Sequence, residues 1–134
     1  MSEVNIQWVE GRQFASVDTF QHHIVIGPEG TGAKASDLML TALGSCSAYD
    51  VVEILEKKRQ KLTGLEIHVS GDQLPDPPWT FTKCHVHYIV TGHDLQPKAV
   101  ADAIALAEEK YCAVAATLRQ AIPITHDYEI IEAP

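Results

Sequence analysis

Apolar and polar positions alternate through the first 26 residues in three short runs. Residues 4–10 set Val4, Ile6 and Trp8 against Asn5, Gln7 and Val9, and residues 14–17 and 23–26 repeat the period of two, so the pattern predicts three strands joined as a meander. Gly27-Pro28-Glu29-Gly30-Thr31-Gly32 interrupts it. From Ser36 or just before, the spacing turns helical, with Leu38, Met39, Leu40, Ala42, Leu43, Ala48, Val51, Val52, Ile54 and Leu55 apolar. Between 38 and 55 this helix is apolar nearly all round, which predicts burial on most of its faces at the centre of an assembly. Residues 65–70 alternate again, 72–78 read as a turn-rich loop, and 79–90 form the clearest long strand. Pro97 then opens an alanine-rich helix to about Ala107; a continuation or a second helix reaches Gln120, and 126–132 make a last strand.

Strands, one long helix, strands and then helices describe an α+β fold. No repeat or linker divides the 134 residues, so a single domain spanning 1–134 is expected. A chain of this length buries only about two-thirds of its unfolded surface, and a second subunit covering apolar faces would add stability.

Charge narrows the range of functions. The formal net charge is −8, and the only dense basic run, Lys57-Lys58-Arg59-Gln60-Lys61, falls at a helix end where cations complement the dipole. Nucleic-acid binding, which needs a broad basic footprint, is not expected. The opening MSEVNIQWVEG lacks an apolar core of signal-peptide length, and no stretch reaches the 18 or so uncharged residues of a membrane span, so a cytoplasmic protein without membrane association is expected. Three cysteines without close-spaced pairs fit a reducing compartment.

Those cysteines carry the candidate chemistry. Cys46 sits among small residues in Gly44-Ser45-Cys46-Ser47-Ala48, mid-helix, where a packing role and a reactive one are both open. Gly44 is costly in a helix and makes sense where something approaches the backbone. Cys112 follows Lys110-Tyr111 near a helix junction, and both a helix N-terminus and a nearby cation lower a thiol pKa; Cys46 needs a cation from elsewhere. Strand alternation puts Cys84 with Val86, Tyr88 and Val90 as core filler, and His85 and His87 on the opposite face. A strand His-x-His supplies two ligands where zinc needs three or four, and His22-His23 names no others, so surface histidines and no metal are expected.

The stretch Lys34-Ala35-Ser36-Asp37-Leu38-Met39-Leu40-Thr41-Ala42-Leu43-Gly44-Ser45-Cys46-Ser47-Ala48-Tyr49-Asp50-Val51-Val52 resembles the central cysteine helix of the OsmC/Ohr superfamily, and Glu109-Lys110-Tyr111-Cys112 resembles its second cysteine motif. Residues 54–60, Phe81-Thr82, 90–95 and Ile124-Thr125-His126 extend the likeness over most of the chain, closest to the YhfA-like branch. The resemblance implies antiparallel sheets wrapped around a long cysteine-bearing helix, in an intertwined homodimer with active sites at the subunit interface. It implies no cofactor. It further implies that Cys46 attacks an organic hydroperoxide to give a sulfenic acid, that Cys112 resolves it as a disulfide, and that a dithiol such as dihydrolipoamide or a thioredoxin-like protein resets the pair. The family peroxidases hold the cysteine as thiolate with an Arg and a Glu. At the glutamate position this chain carries Ser36 with Asp37 one step along, and Arg12 is the candidate cation.

Three functions follow: a thiol-dependent hydroperoxide reductase with Cys46, Cys112, Arg12 and Asp37 as its site; a non-catalytic redox-sensing or small-molecule-binding module; and a structural dimer whose cysteines only pack.

Overall fold

Three strands form where the alternation places them in the computed structural model, which describes residues 1–134. They are β1 (Asn5–Glu10), β2 (Gln13–Val17) and β3 (His23–Ile26), paired antiparallel in the order β1-β2-β3. Between β1 and β2 the chain reverses over two residues, Gly11 and Arg12, and Gly11 takes a left-handed φ of +52° that a side chain would resist. All six residues of β1 are exposed, including Ile6 at 62% and Trp8 at 69%. Residues Met1–Met39 make one compact unit and Leu40–Pro134 a second.

The long helix α1 runs Asp37–Lys57, so the basic run does lie at and just beyond its end. From Leu40 onward it belongs to the second unit. Leu43, Ser47, Val51 and Leu55 are buried along α1, each four residues after the last, which puts them on one stripe, and Gly44 is buried beside it. Burying a leucine or valine fully contributes about 1.5–3 kcal/mol, so this stripe fastens the helix. The expected burial on most faces is not reached within one chain: Tyr49 is 71% exposed, and Leu40, Ala42 and Ala48 are half-buried. Length and mean apolarity alone would let α1 cross a membrane, a test that core helices of soluble proteins also pass.

The second sheet is longer than the pattern suggests. β4 (Lys61–Gln73) and β5 (Phe81–His93) pair antiparallel, absorbing a register shift between Leu62 and Gly64 that blurs the alternation at the sequence level. β6 (Ile124–Glu132) pairs with β5 in parallel, giving the order β4-β5-β6. This sheet is therefore mixed, where antiparallel sheets were expected. A parallel neighbour needs a crossover, supplied by α2 (Pro97–Leu106), a π-helical turn (Ala107–Tyr111) and α3 (Ala113–Leu118). Cys84, Val86, Tyr88 and Val90 of β5 are buried with Val100, Ala103 and Ile104 of α2, and Cys84 is core filler as the alternation predicts.

Helix α1 approaches β4 at Gly44. A Cβ there would stand 2.8 Å from Val69 Cγ2 and 3.6 Å from Ile67 Cγ2. The close neighbour that the glycine predicts is thus a sheet side chain. Valine is stiff about χ1, so it yields poorly. Gly44→Ala should lower unfolding free energy by about 1 kcal/mol, because overpacking of roughly 1–3 kcal/mol exceeds the roughly 1 kcal/mol gain in helix propensity. With Val69→Ala in place the same change should become stabilising. Urea unfolding of the four proteins measures both, and a loss that survives in the Val69→Ala background would assign the glycine another role.

Candidate functional site

Two cysteines 66 residues apart in sequence meet in the second unit. Cys46 is half-buried on α1, Cys112 is buried, and the two thiols are near enough for Cys46 to raise the Cys112 pKa. All three cysteines are free. Cys112 is where the crossover changes course: its N–H donates to Ala107 O at 2.7 Å, closing the π-helical turn, and its backbone is extended before α3 begins. Such turns are rare and recur at functional sites. The Cys112 sulfur accepts the Ala115 N–H at 3.3 Å.

The expectation that a helix N-terminus and Lys110 lower the Cys112 pKa is overturned. Burial, and after it the hydrogen bond with Cys46, push this thiol up to about 11, against the smaller lowering by the Ala115 and Val114 amides. Lys110 is exposed, its ammonium over the Tyr111 ring at 5.6 Å.

Behind Cys112 lies a polar cluster that the motifs do not announce. Glu108, in the π-helical turn, is 1% exposed. The buried Tyr88 hydroxyl stands 2.7 Å from Glu108 Oε2 and 3.0 Å from Ser47 Oγ. With one proton to give, Tyr88 donates it across the shorter contact to the carboxylate, leaving its lone pairs toward Ser47. His126 Nδ1 is 3.3 Å from the same Glu108 oxygen, and Arg119 Nη2 donates to the Glu108 carbonyl at 3.1 Å. Burial, opposed by the Ser47 contact and reinforced by Glu108, drives the Tyr88 pKa strongly upward, so the phenol stays protonated. A signal for this cluster exists in the sequence. Glu108 continues the apolar spacing of Val100 and Ile104, Ser47 that of Leu43, and Tyr88 that of Val86, so each is a polar group on an inward stripe.

Arg12 and Asp37 lie in the N-terminal unit. Arg12 is exposed at the β1–β2 turn, where its guanidinium donates to Gly11 O at 3.2 Å, and Asp37 is exposed in the first turn of α1. Ser36 directly precedes that helix. His85 and His87 project from the sheet face opposite Cys84. Asp127 Oδ1 lies 2.8 Å from His85 Nε2 and 2.7 Å from His87 Nδ1, with Glu129 3.5 Å from His87 Nε2. The Asp127 contact raises the His87 pKa and lowers its own. These side chains are committed to one another, and no group of three or more His, Cys, Asp or Glu residues is arranged to hold a metal ion.

The model of the family described as OsmC-like protein matches residues 28–127. Protein YhfA of Escherichia coli (strain K12) is 41% identical over 133 residues, covering 98% of this chain and 99% of that one. The crystal structure of a hypothetical protein from Aquifex aeolicus VF5 superposes with a TM-score of 0.90 at 27% identity, over 100% of this chain and 98% of the other. The organic hydroperoxide resistance protein OhrB of Bacillus subtilis superposes with a TM-score of 0.64 at 14% identity, over 96% and 98% of the two chains, a likeness of fold alone.

The raised Cys112 pKa has a consequence for stability. A thiol whose pKa is higher folded than unfolded holds its proton more tightly in the fold; its contribution is whole below the ordinary value of 9.0 and is lost as pH rises through about 11. Between pH 8 and 10.5 the wild type should lose about 2 kcal/mol more unfolding free energy than Cys112→Ala, as read by urea unfolding at both pH values. Equal losses would mean that the Cys112 thiol is not shifted.

Proposed function

Because this chain belongs to the OsmC-like protein family, we propose that it is a cytoplasmic thiol-dependent reductase of organic hydroperoxides, with Cys46 as the attacking and Cys112 as the resolving cysteine. The observation that carries this reading is one half-buried and one buried thiol near enough for one to shift the titration of the other. A peroxide meets Cys46 first. The Cys46 thiolate attacks one peroxide oxygen, the O–O bond breaks, the alcohol leaves with a proton, and Cys46 becomes a sulfenic acid. Cys112 then attacks the Cys46 sulfur, the S–S bond forms as the S–O bond breaks, and water leaves. A thiol held protonated suits the second role, because it stays silent until its partner is oxidised. A dithiol such as dihydrolipoamide or a thioredoxin-like protein supplies the two electrons that restore both thiols.

Arg12 and Asp37 are the residues proposed to attend the Cys46 thiolate. A homodimer is part of the same reading. It is supported by the exposed Ile6 and Trp8 of β1 and by Tyr49 of α1, a larger apolar display than an isolated domain ordinarily leaves uncovered. Ile6→Lys should convert a dimer into a monomer in sedimentation, and a wild type that sediments as a monomer at micromolar concentration overturns the assembly.

Hydroperoxide consumption with excess dihydrolipoamide tests the chemistry. Wild type should turn over. Cys46→Ser should fall to the uncatalysed background, and Cys112→Ser should consume a single equivalent and stall as sulfenic acid, both followed by mass. Full turnover by Cys46→Ser would sink the assignment. A reversible disulfide without turnover would instead mark a redox-sensing module, the reading favoured by Ser36 at the place of the family glutamate.

A further inference from the structure

Apolar packing seats α1 on its sheet, and a hydrogen-bonded path then joins that helix to the turn before Cys112. Ser47, the residue after Cys46, has its Oγ 3.0 Å from the Tyr88 hydroxyl, and Tyr88 donates to Glu108 Oε2 at 2.7 Å. No other side-chain hydrogen bond of α1 leaves the helix: Ser45 donates to Thr41 O, and Lys57 pairs with Glu53. The path matters because a disulfide closes only over a narrow range of Cβ separations and dihedral angles.

We infer that Ser47, Tyr88 and Glu108 are positioning residues for the disulfide step, tying the helical turn that carries Cys46 to the π-helical turn that leads into Cys112. The inference rests on the proposed pairing of these two cysteines and adds what holds them in register. At one end, Ser47 Oγ is also 3.3 Å from Leu43 O and 3.2 Å from Gly44 O, so its side chain lies against the helix backbone and moves with it. At the other end, Glu108 lies inside the turn that the Cys112 N–H closes on Ala107 O at 2.7 Å, and Arg119 holds the Glu108 carbonyl at 3.1 Å from the far end of α3. Cys112 is fixed to that turn and to α3 through three of its own atoms: besides its N–H, its carbonyl accepts the Ala116 N–H at 3.0 Å and its sulfur the Ala115 N–H at 3.3 Å. A displacement of Glu108 is therefore handed on to Cys112 through backbone.

Tyr88 roots the path in β5, the middle strand of its sheet, and all three residues are buried. In that setting water does not take the place of a broken bond, and losing one partner leaves the other unpaired. An apolar side chain at 108 would continue the stripe of Val100 and Ile104 without the cost of burying a carboxylate; what the carboxylate adds is a bond with a direction. Held by it, the helix and the turn have already given up the freedom that S–S closure would otherwise remove, so the two thiols meet at a high effective concentration.

Effective concentration is measurable without peroxide. The full-length reduced protein is equilibrated at pH 7 with mixtures of oxidised and reduced dithiothreitol, acid-quenched, and the Cys46–Cys112 disulfide counted by mass. In this exchange the reagent's S–S bond opens as the protein's forms, and the two electrons and two thiol protons pass to the reagent. Tyr88→Phe and Ser47→Ala should each shift the equilibrium toward the dithiol by about tenfold, and the double variant by no more, because breaking one joint of a serial path already breaks it. Glu108→Ala should behave alike. Glu108→Gln, whose amide oxygen still accepts from Tyr88, should stay within about threefold of wild type. Val100→Ala, a packing loss in the core away from the path, should stay within about twofold. Circular dichroism checks that each protein is folded, and if Glu108→Ala is not, Tyr88→Phe and Ser47→Ala decide. Wild-type equilibria in those two, or an equal shift in Val100→Ala, overturn the positioning role. A path-dependent equilibrium in a protein that consumes no hydroperoxide would overturn the peroxidase reading and leave the positioning role standing.

Discussion

The seat of α1 on β4 sets the height of everything that follows. Gly44 lets the helix backbone come down until Val69 fills the space a side chain would take, and three residues later Ser47 faces the Tyr88 hydroxyl at 3.0 Å. Cys46 lies between these two anchors on the same turn. A helix held farther off would lift Ser47 away from Tyr88 and part the two thiols, so one methyl-sized vacancy governs both the core and the chemistry. It can do so because packed interiors transmit sub-ångström displacements rather than absorbing them.

The opposite wall is fixed by topology. β6 returns parallel to β5, so the segment bearing Glu108 and Cys112 is held at both ends by one sheet, with Tyr88 on the strand before the crossover and His126 on the strand after it. Tyr88 pairs with Tyr128 in this register, which brings His126 to the level of Val86, one inward position along. Sheet register, rather than any local motif, delivers the histidine to the buried carboxylate.

Much of this was legible in the amino-acid order, and the gaps have physical causes. The three short strands, the long helix and the α+β class follow from side-chain period, which depends on neighbours a few residues away. The lengths of β4 and β5 do not, because Gly64 and Gly71 interrupt the alternation while the ladder continues through them. Nor does the parallel docking of β6, which is decided across the 30 residues between strand ends at His93 and Ile124. The meeting of Cys46 and Cys112 came from motif likeness, since nothing in a spacing of 66 residues requires it. The Cys112 environment is not legible, because a helix end and a lysine are visible in sequence whereas burial is not. Glu108 is inconspicuous beside Glu109-Lys110-Tyr111-Cys112, although its place on an apolar stripe marks it.

The all-exposed strand β1 carries a different kind of consequence. A strand whose every position is exposed in its own chain gains little from hydrophobic burial by folding alone, and in the proposed homodimer a second subunit over Ile6 and Trp8 would supply the rest. In the proposed homodimer, structure in this segment becomes a matter of molecularity: dilution, which leaves an ordinary monomeric domain untouched, would act on it as a denaturant.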